Sequence, residues 1–206
     1  MTNAPRQPLL HDVMKDDPIR QFLSWFQEAE QAQVPQPEAM TLATSNRQGK
    51  PAARIVLLRG VDERGFVFYT NYESRKGREL LENPAAALVF HWHPLSRQVR
   101  IEGVVEQLRA AESDQYFAGR PRGNQLEAHA SPQSQVISDR VYLDRQFTEV
   151  EQRFHGVDVP RPPHWGGFRI VPEAVEFWQQ GEHRLHDRLR YRRDNTGGWV
   201  IERLAP

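Results

Sequence analysis

The sequence predicts a mainly β fold with flanking helices, an antiparallel barrel or sandwich. Two observations carry this reading. From residue 39 to residue 108, five runs rich in β-branched and aromatic residues succeed one another, most of them joined by hairpin turns. Helix signals are limited to stretches before and after that region and one short helix within it, opened by Ser74. A chain of 206 residues suits one domain, here 17–206, while the polar, aperiodic, proline-containing residues 1–16 read as a loose arm.

Asp17-Pro18 has the form of an N-cap followed by proline in the first turn, and Ile19, Phe22, Leu23, Phe26 and Ala29 follow at helical spacing to about Gln33. Pro35 and Pro37 stop that helix. Strands are predicted over Ala39–Ser45, Ala53–Val61 and the FVFYTN run, with NRQGKP and DERG as turns. Ser74 caps a short helix that Pro84 ends. AALVFHWH and RQVRIEGVVEQL supply two more strands. Residues 110–118 read as a short helix carrying Tyr116 and Phe117, and Ser138 opens a longer one with Leu143, Phe147, Val150 and Phe154 on one face. A proline-rich connection leads to strands at GFRIV and AVEFW and to a final hairpin, Arg184–Arg192 with Trp199–Arg203.

Lys plus Arg equals Asp plus Glu at 27 each, so no global field holds a polyanion, and a local anion pocket is favoured over nucleic acid. Cysteine is absent, which removes thiol chemistry and disulfides and suits a reducing cytoplasm. The longest apolar run, AAALVF, is far short of the roughly 20 residues that a membrane helix needs. The N-terminal stretch MTNAPRQPLLHDVMKDDP has no apolar core long enough for a signal peptide, and no membrane association is expected.

Against that balance, Gly181 to Arg193 concentrates five arginines and two histidines. In a strand, Arg184, His186 and Arg188 would share one face opposite Leu185, Leu189 and Tyr191. Charge on an edge strand also discourages aggregation, and Arg190, Arg192 and Arg193 are read that way. Three further features point to anions. Arg54 and Arg59 bracket the apolar IVLL, so a buried cation there needs a charged partner. Arg75 and Lys76 sit at a helix start, where backbone N–H groups already attract phosphate. Tyr116 and Arg120 lie one helical turn apart. Together they predict two phosphate sites, with Tyr69 and Trp178 near enough to cover a flat ring. His91 and His93 share a strand face without a third ligand at a useful spacing, so no metal site is expected. Neither GxGxxG nor a P-loop occurs.

The order RIVLLR, FYTN, SRKG, RQVRIEG, YFAGRPR, PQS, HWGGFRI, EFWQQGEHRLHDR and terminal RLAP resembles the pyridoxine (pyridoxamine) 5′-phosphate oxidase family from about residue 18 onward. That resemblance implies an FMN-binding split β-barrel and a homodimer with FMN near the subunit interface. The activity implied is oxidation of pyridoxine or pyridoxamine 5′-phosphate by O2 to pyridoxal 5′-phosphate, with H2O2 released. It further implies that FMN is held by Arg54, Ile55, Val56, Leu57, Leu58 and Arg59, by Tyr69, Thr70, Arg75 and Lys76, and by Gln98, Gln133, Ser134, Trp178 and Arg188. The substrate would meet Arg59, Tyr116, Arg120 and Asn124 through its phosphate and Arg184, Leu185 and His186 at the pyridine end. Arg184 and His186 are the implied catalytic pair. Arg59 stands where the family usually has lysine and Asn124 where it has serine; both still reach an anion. The family's basic N-terminal segment is not evident in 1–16. Two alternatives stay open: a related split-barrel flavin oxidoreductase of the phenazine-biosynthesis type, and a non-catalytic RNA- or phospholipid-binding module.

Overall fold

The computed structural model describes residues 8–206. Helix α1 (Pro18–Gln31) begins as its sequence dictates: Asp17 Oδ1 accepts from the backbone N–H of Ile19 at 2.8 Å and of Arg20 at 3.0 Å. It stops two residues earlier than its periodicity suggests, because Gln33 turns left-handed (φ 54°) ahead of Pro35. Asp17→Ala removes two caps and should cost about 1 kcal/mol. For a chain of this size a thermal melt should then show Tm lowered by roughly 2–4 °C, and an unchanged Tm would mean that solvent caps the helix equally well.

Strands β1 (Ala39–Ser45) and β2 (Pro51–Leu57) form a hairpin. The long strand expected over Ala53–Val61 is broken. Leu58 is buried and its N–H donates to the Glu38 carbonyl, whereas the next N–H, of Arg59, donates to Val67. The chain thus changes partner within one residue, and β3 (Gly60–Asp62) pairs with β4 (Gly65–Asn71) instead. Helix α2 (Arg75–Glu82) follows, with Ser74 Oγ accepting from Gly77 N–H, and then β5 (Ala85–Trp92) and β6 (Arg97–Gln107). Helices α3 (Ala110–Ala118), α4 (Arg122–Ala130) and α5 (Arg140–Arg153) come next. Sequence periodicity missed α4, whose first turn carries the poor helix formers Gly123 and Asn124. The cap of α5 is Asp139, not Ser138.

Two strands were expected at GFRIV and AVEFW; they are one, β7 (Trp165–Gln179). Its first half pairs with β4 and its second with β8 (Asp187–Arg193), while β6 runs along its other edge throughout. The change of partner falls at Pro172, which has no N–H to give a ladder. Opposite it the β6–β7 register shifts at Glu102/Gly103, and a Cβ on Gly103 would lie 2.1 Å from the Val171 carbonyl oxygen. Strand β9 (Trp199–Arg203) completes the hairpin with β8.

All these pairings are antiparallel, in the order β2-β1-β5-β6-β7-β4-β3, with β8 and β9 branching from β7. The two ends of that order, β2 and β3, are joined through Leu58 and Arg59 alone, so the sheet must curl on itself as a half-barrel. Helix α1 packs into the curl: Phe22 lies 4.9 Å from Phe66 and from Phe90, and Trp25 5.1 Å from Phe177. A second apolar cluster joins α3, α4, α5 and Trp165.

The looseness expected of residues 1–16 does not extend to 8–16. Leu9 and Met14 are buried in the main core, Leu9 N–H donates to Asp187 at 3.0 Å, and the Tyr191 hydroxyl donates to the Lys15 carbonyl at 2.6 Å. Residues 1–7 lie outside the described residues.

Candidate active site

A cavity of about 1110 Å³ opens between the β2–β3 corner, β4, α2, α3 and α4. Of the residues singled out in the sequence, it gathers Arg54, Ile55, Val56, Leu57, Arg59, Tyr69, Thr70, Lys76, Tyr116, Arg120, Asn124 and Gln133. Residues up to 79 positions apart are brought together because β2 is the sheet's outer edge and its cavity side has no neighbouring strand.

The partner demanded by Arg54 is a carboxylate of the same chain. Its Nη2 donates to Glu79 Oε2 at 3.2 Å, and its Nη1 donates to Thr44 Oγ1 at 2.6 Å and to the Leu42 carbonyl at 3.1 Å. Burial would raise the Glu79 pKa, but hydrogen bonds from Thr44, Arg75 and Arg54 overcome this and hold it below the usual carboxylate range. Arg75 is thereby drawn to the rim, donating to Glu79 Oε1 at 2.9 Å.

Lys76 differs. Its Nζ donates to Gln133 Oε1 at 2.8 Å and to Thr70 Oγ1 at 3.1 Å, both neutral, and no carboxylate among the described residues pairs with it. Burial, with help from the Arg54 charge, pushes its pKa down to about 8. Arg54 and Arg75 therefore share one carboxylate, while Lys76 pairs with none among the described residues, so positive charge is in excess at this end of the cavity. An anion fits there.

The far wall is aromatic. Tyr69 and Tyr116 stack with ring centroids 3.7 Å apart and planes 5° apart, and Trp165 continues the stack 5.5 Å from Tyr69. Burial, then the neighbouring Tyr116, pushes Tyr69 up to about 12, so its hydroxyl stays protonated. Arg120 lies over Trp165 at 4.5 Å. Arg59 makes no ion pair among the described residues and is exposed at the corner. The floor was not anticipated. Arg169, 3% exposed, donates to Asp62 Oδ2 at 2.8 Å and Glu106 Oε1 at 3.0 Å, tying β7 to β3 and β6. The legible signal was an arginine inside the apolar GFRI run.

Several expected members are elsewhere. Leu58 is in the core, and Ser134, left-handed at φ 70°, is exposed beside Gln133. Arg184, Leu185 and His186 are not on a strand: residues 182–184 form a 3₁₀ turn, and His183 (φ 52°) and Arg184 (φ 65°) are left-handed. The chain doubles back so tightly that a Cβ on Gly181 would lie 1.9 Å from the Leu185 carbonyl oxygen. The shared face predicted for Arg184, His186 and Arg188 therefore does not form. A different alignment does. Gln98, Trp178 and Arg188 are direct cross-strand neighbours on β6, β7 and β8, and His186 lies 4.8 Å from Trp178. Arg188 is held by two bonds to Glu176, at 2.8 and 3.1 Å, and by one to the Ala205 carbonyl. Most of the nominated residues thus form two separate groups on one chain, one in the cavity and one on the β6–β7–β8 face with the turn before β8, while Leu58, Arg75 and Ser134 belong to neither. Arg190 and Arg192 both pair with Glu202, and Arg193 covers Trp199, but β8 lies between β7 and β9, so these arginines are not on the edge strand that was expected.

A curled antiparallel half-barrel with flanking helices and a cationic, aromatic-walled cavity is the architecture of the split-barrel oxidoreductases. Residues 26–154 match the family described as pyridoxamine 5′-phosphate oxidase, and residues 165–206 match the pyridoxine 5′-phosphate oxidase C-terminal dimerisation region. The chain belongs to the pyridoxamine 5′-phosphate oxidase family. It is 58% identical over 203 residues to the pyridoxine/pyridoxamine 5′-phosphate oxidase of Salinibacter ruber, covering 98% of this chain and 94% of that protein. To the Bordetella petrii protein of the same name it is 57% identical over 201 residues, covering 98% and 95%. Among solved structures, PhzG from Burkholderia lata 383 in complex with tetrahydrophenazine-1-carboxylic acid matches with a TM-score of 0.90 at 35% identity, over 96% of this chain and 98% of that one. A pyridoxamine 5′-phosphate oxidase-related, FMN-binding protein from Nostoc punctiforme shares the fold at a TM-score of 0.73 and 16% identity, over 94% and 100% of the two chains. No helix among the described residues is long and apolar enough to cross a membrane.

Proposed function

We propose that this protein is an FMN-dependent oxidase of pyridoxine and pyridoxamine 5′-phosphate, working as a homodimer in the cytoplasm. The observation that carries this reading is Lys76, a half-buried cation with three neutral hydrogen-bond partners and no counter-ion among the described residues, on the same cavity as Arg59 and Arg120. Two anion sites in one cavity suit two phosphorylated ligands.

Lys76, oriented by Thr70 and Gln133, would take the FMN phosphate, with Arg54 and Arg75 adding charge. The edge of β2 at Ile55–Leu57 offers backbone N–H and C=O groups to the polar rim of a flat ring. Bound there, FMN would supply the two-electron acceptor for the substrate and pass the electrons to O2, giving H2O2. Arg59, Tyr116, Arg120 and Asn124 would clamp the substrate phosphate and fix its ring over the cavity. The Tyr69–Tyr116–Trp165 stack keeps water from that wall. Gln98, Trp178, Arg184, Leu185, His186 and Arg188, outside this cavity in one chain, would close it from the second copy through the dimerisation region. Arg184 and His186 then orient the pyridine end and stabilise charge developing on it.

The resemblance to PhzG supports a second reading, an oxidase of a reduced phenazine carboxylate. Three groups able to hold a phosphate dianion, Arg59, Arg120 and Asn124, favour the phosphorylated pyridine over a ligand with one carboxylate. Visible spectroscopy decides between them. Protein reconstituted with FMN should be yellow and should bleach on anaerobic addition of pyridoxine 5′-phosphate. Bleaching with a tetrahydrophenazine carboxylate alone would establish the second reading, and failure to retain FMN would refute both.

A further inference from the structure

We propose that Glu127 is a resident counter-ion of Arg120, a carboxylate that an incoming phosphate monoester must displace. The inference rests on the substrate reading above for the identity of that ligand. Arg120 follows α3 with its side chain only 16% exposed and its guanidinium stacked 4.5 Å over Trp165. Arginine keeps its proton in a protein, so a cation desolvated this far requires an anion. Yet its Nη1 is buried and has no hydrogen-bond partner among the described residues.

The carboxylate within reach of Arg120 is Glu127, with Oε2 4.0 Å from Nη2. That distance is too long for a hydrogen bond, so the pair is matched in charge but not closed. Glu127 lies on α4 three residues after Asn124, on the same helix face, and both line the cavity. Its side chain is 52% exposed and accepts no hydrogen bond among the described residues, so it can swing away. The unclosed pair of Arg120 Nη2 with Glu127 is where a phosphate oxygen would enter.

A phosphate monoester carries nearly two negative charges at neutral pH. Once it holds Arg120, Glu127 stands beside it as a like charge. Across about 5–6 Å at an effective dielectric of a partly exposed site, that repulsion weakens binding by roughly fivefold. The product carries the same phosphate, so the same repulsion speeds its release. Glu127 is therefore a positioning residue that sets the affinity of the phosphate subsite through Arg120.

The test uses the holoenzyme, with pyridoxine 5′-phosphate as substrate and inorganic phosphate as the competing probe, at constant ionic strength. Glu127→Gln should lower KM and the inhibition constant of phosphate together by roughly fivefold, with kcat changed by less than about twofold. Glu127→Asp, which keeps the charge, should stay near the parent. An unchanged or raised KM in Glu127→Gln, or an Asp variant that behaves like the Gln variant, overturns the proposal. If the parent does not oxidise pyridoxine 5′-phosphate, the substrate reading fails, and calorimetric titration with inorganic phosphate still decides the role of Glu127. In that titration a parent that binds no phosphate refutes it, and tighter binding by the Gln variant sustains it.

Discussion

Apoprotein carrying Lys76→Met should bind FMN between roughly tenfold and hundredfold more weakly than the parent, the value of one charge-assisted hydrogen bond to phosphate. Methionine keeps most of the stem's packing, so the loss isolates the ammonium. The same group predicts a pH dependence. Its pKa in the empty cavity is about 8, below the ordinary lysine value of 10.5, because burial and Arg54 disfavour the charged form. A phosphate beside it restores that form. FMN affinity of the parent should therefore fall as pH rises past about 8, and the fall should be absent in Lys76→Met. Stability of the apoprotein moves the other way. Between about 8 and 10.5 the unfolded chain binds this proton and the folded one does not, so Lys76 makes the empty fold more stable as pH rises through that window. Fluorescence titration of FMN across that range checks the affinity, and a parent titration flat with pH would show that Lys76 does not meet the phosphate.

Arg184→Ala should lower kcat/KM by roughly a hundredfold, the usual cost of losing a substrate-positioning contact, while FMN affinity stays near the parent's. The more telling result comes from mixing. Lys76 lines the cavity, whereas Arg184 sits on an exposed turn outside it. If each site takes Lys76 from one copy and Arg184 from the other, a dimer of one Lys76→Met chain and one Arg184→Ala chain has one site bearing both changes and one bearing neither. Unfolding and refolding an equal mixture should then recover about a quarter of parental activity, since half the dimers are mixed and each has one intact site. No recovery, with mixed dimers demonstrated by a tag on one chain, would mean that both residues serve the same site from one chain.

Legibility in the sequence followed the range of the interaction. The caps of α1 and α2 were readable because Asp17 and Ser74 bond to N–H groups two or three residues away. Helix α4 was not, since its buried residues, Leu126, Ala128 and Ala130, do not all follow helical spacing and gain their meaning only against α5 and Trp165. Cations were visible as candidates, but their partners were not. Nothing near Arg54 in the sequence names Glu79, and nothing near Lys76 says that no carboxylate among the described residues pairs with it. The FMN set implied by resemblance did not say which of its members lie in the cavity and which on the β6–β7–β8 face. Trp165 and Arg169 were passed over because a tryptophan beside a glycine pair and an arginine in an apolar run look local, whereas their roles are to stack on Tyr69 and to bind Asp62 and Glu106.

By itself the sequence determined a chain of antiparallel strands with short capped helices, because hydrophobic period and cap chemistry act within a single element. It also determined that no global field acts on a polyanion, since Lys plus Arg equals Asp plus Glu. Only the tertiary structure decided where β2 gives way to β3, that β7 is one strand serving two partners, and that Lys76 has no counter-ion among the described residues. Those outcomes depend on hydrogen bonds and ion pairs between residues far apart in the chain, and whether a charge is satisfied is known only once its neighbours have been brought to it.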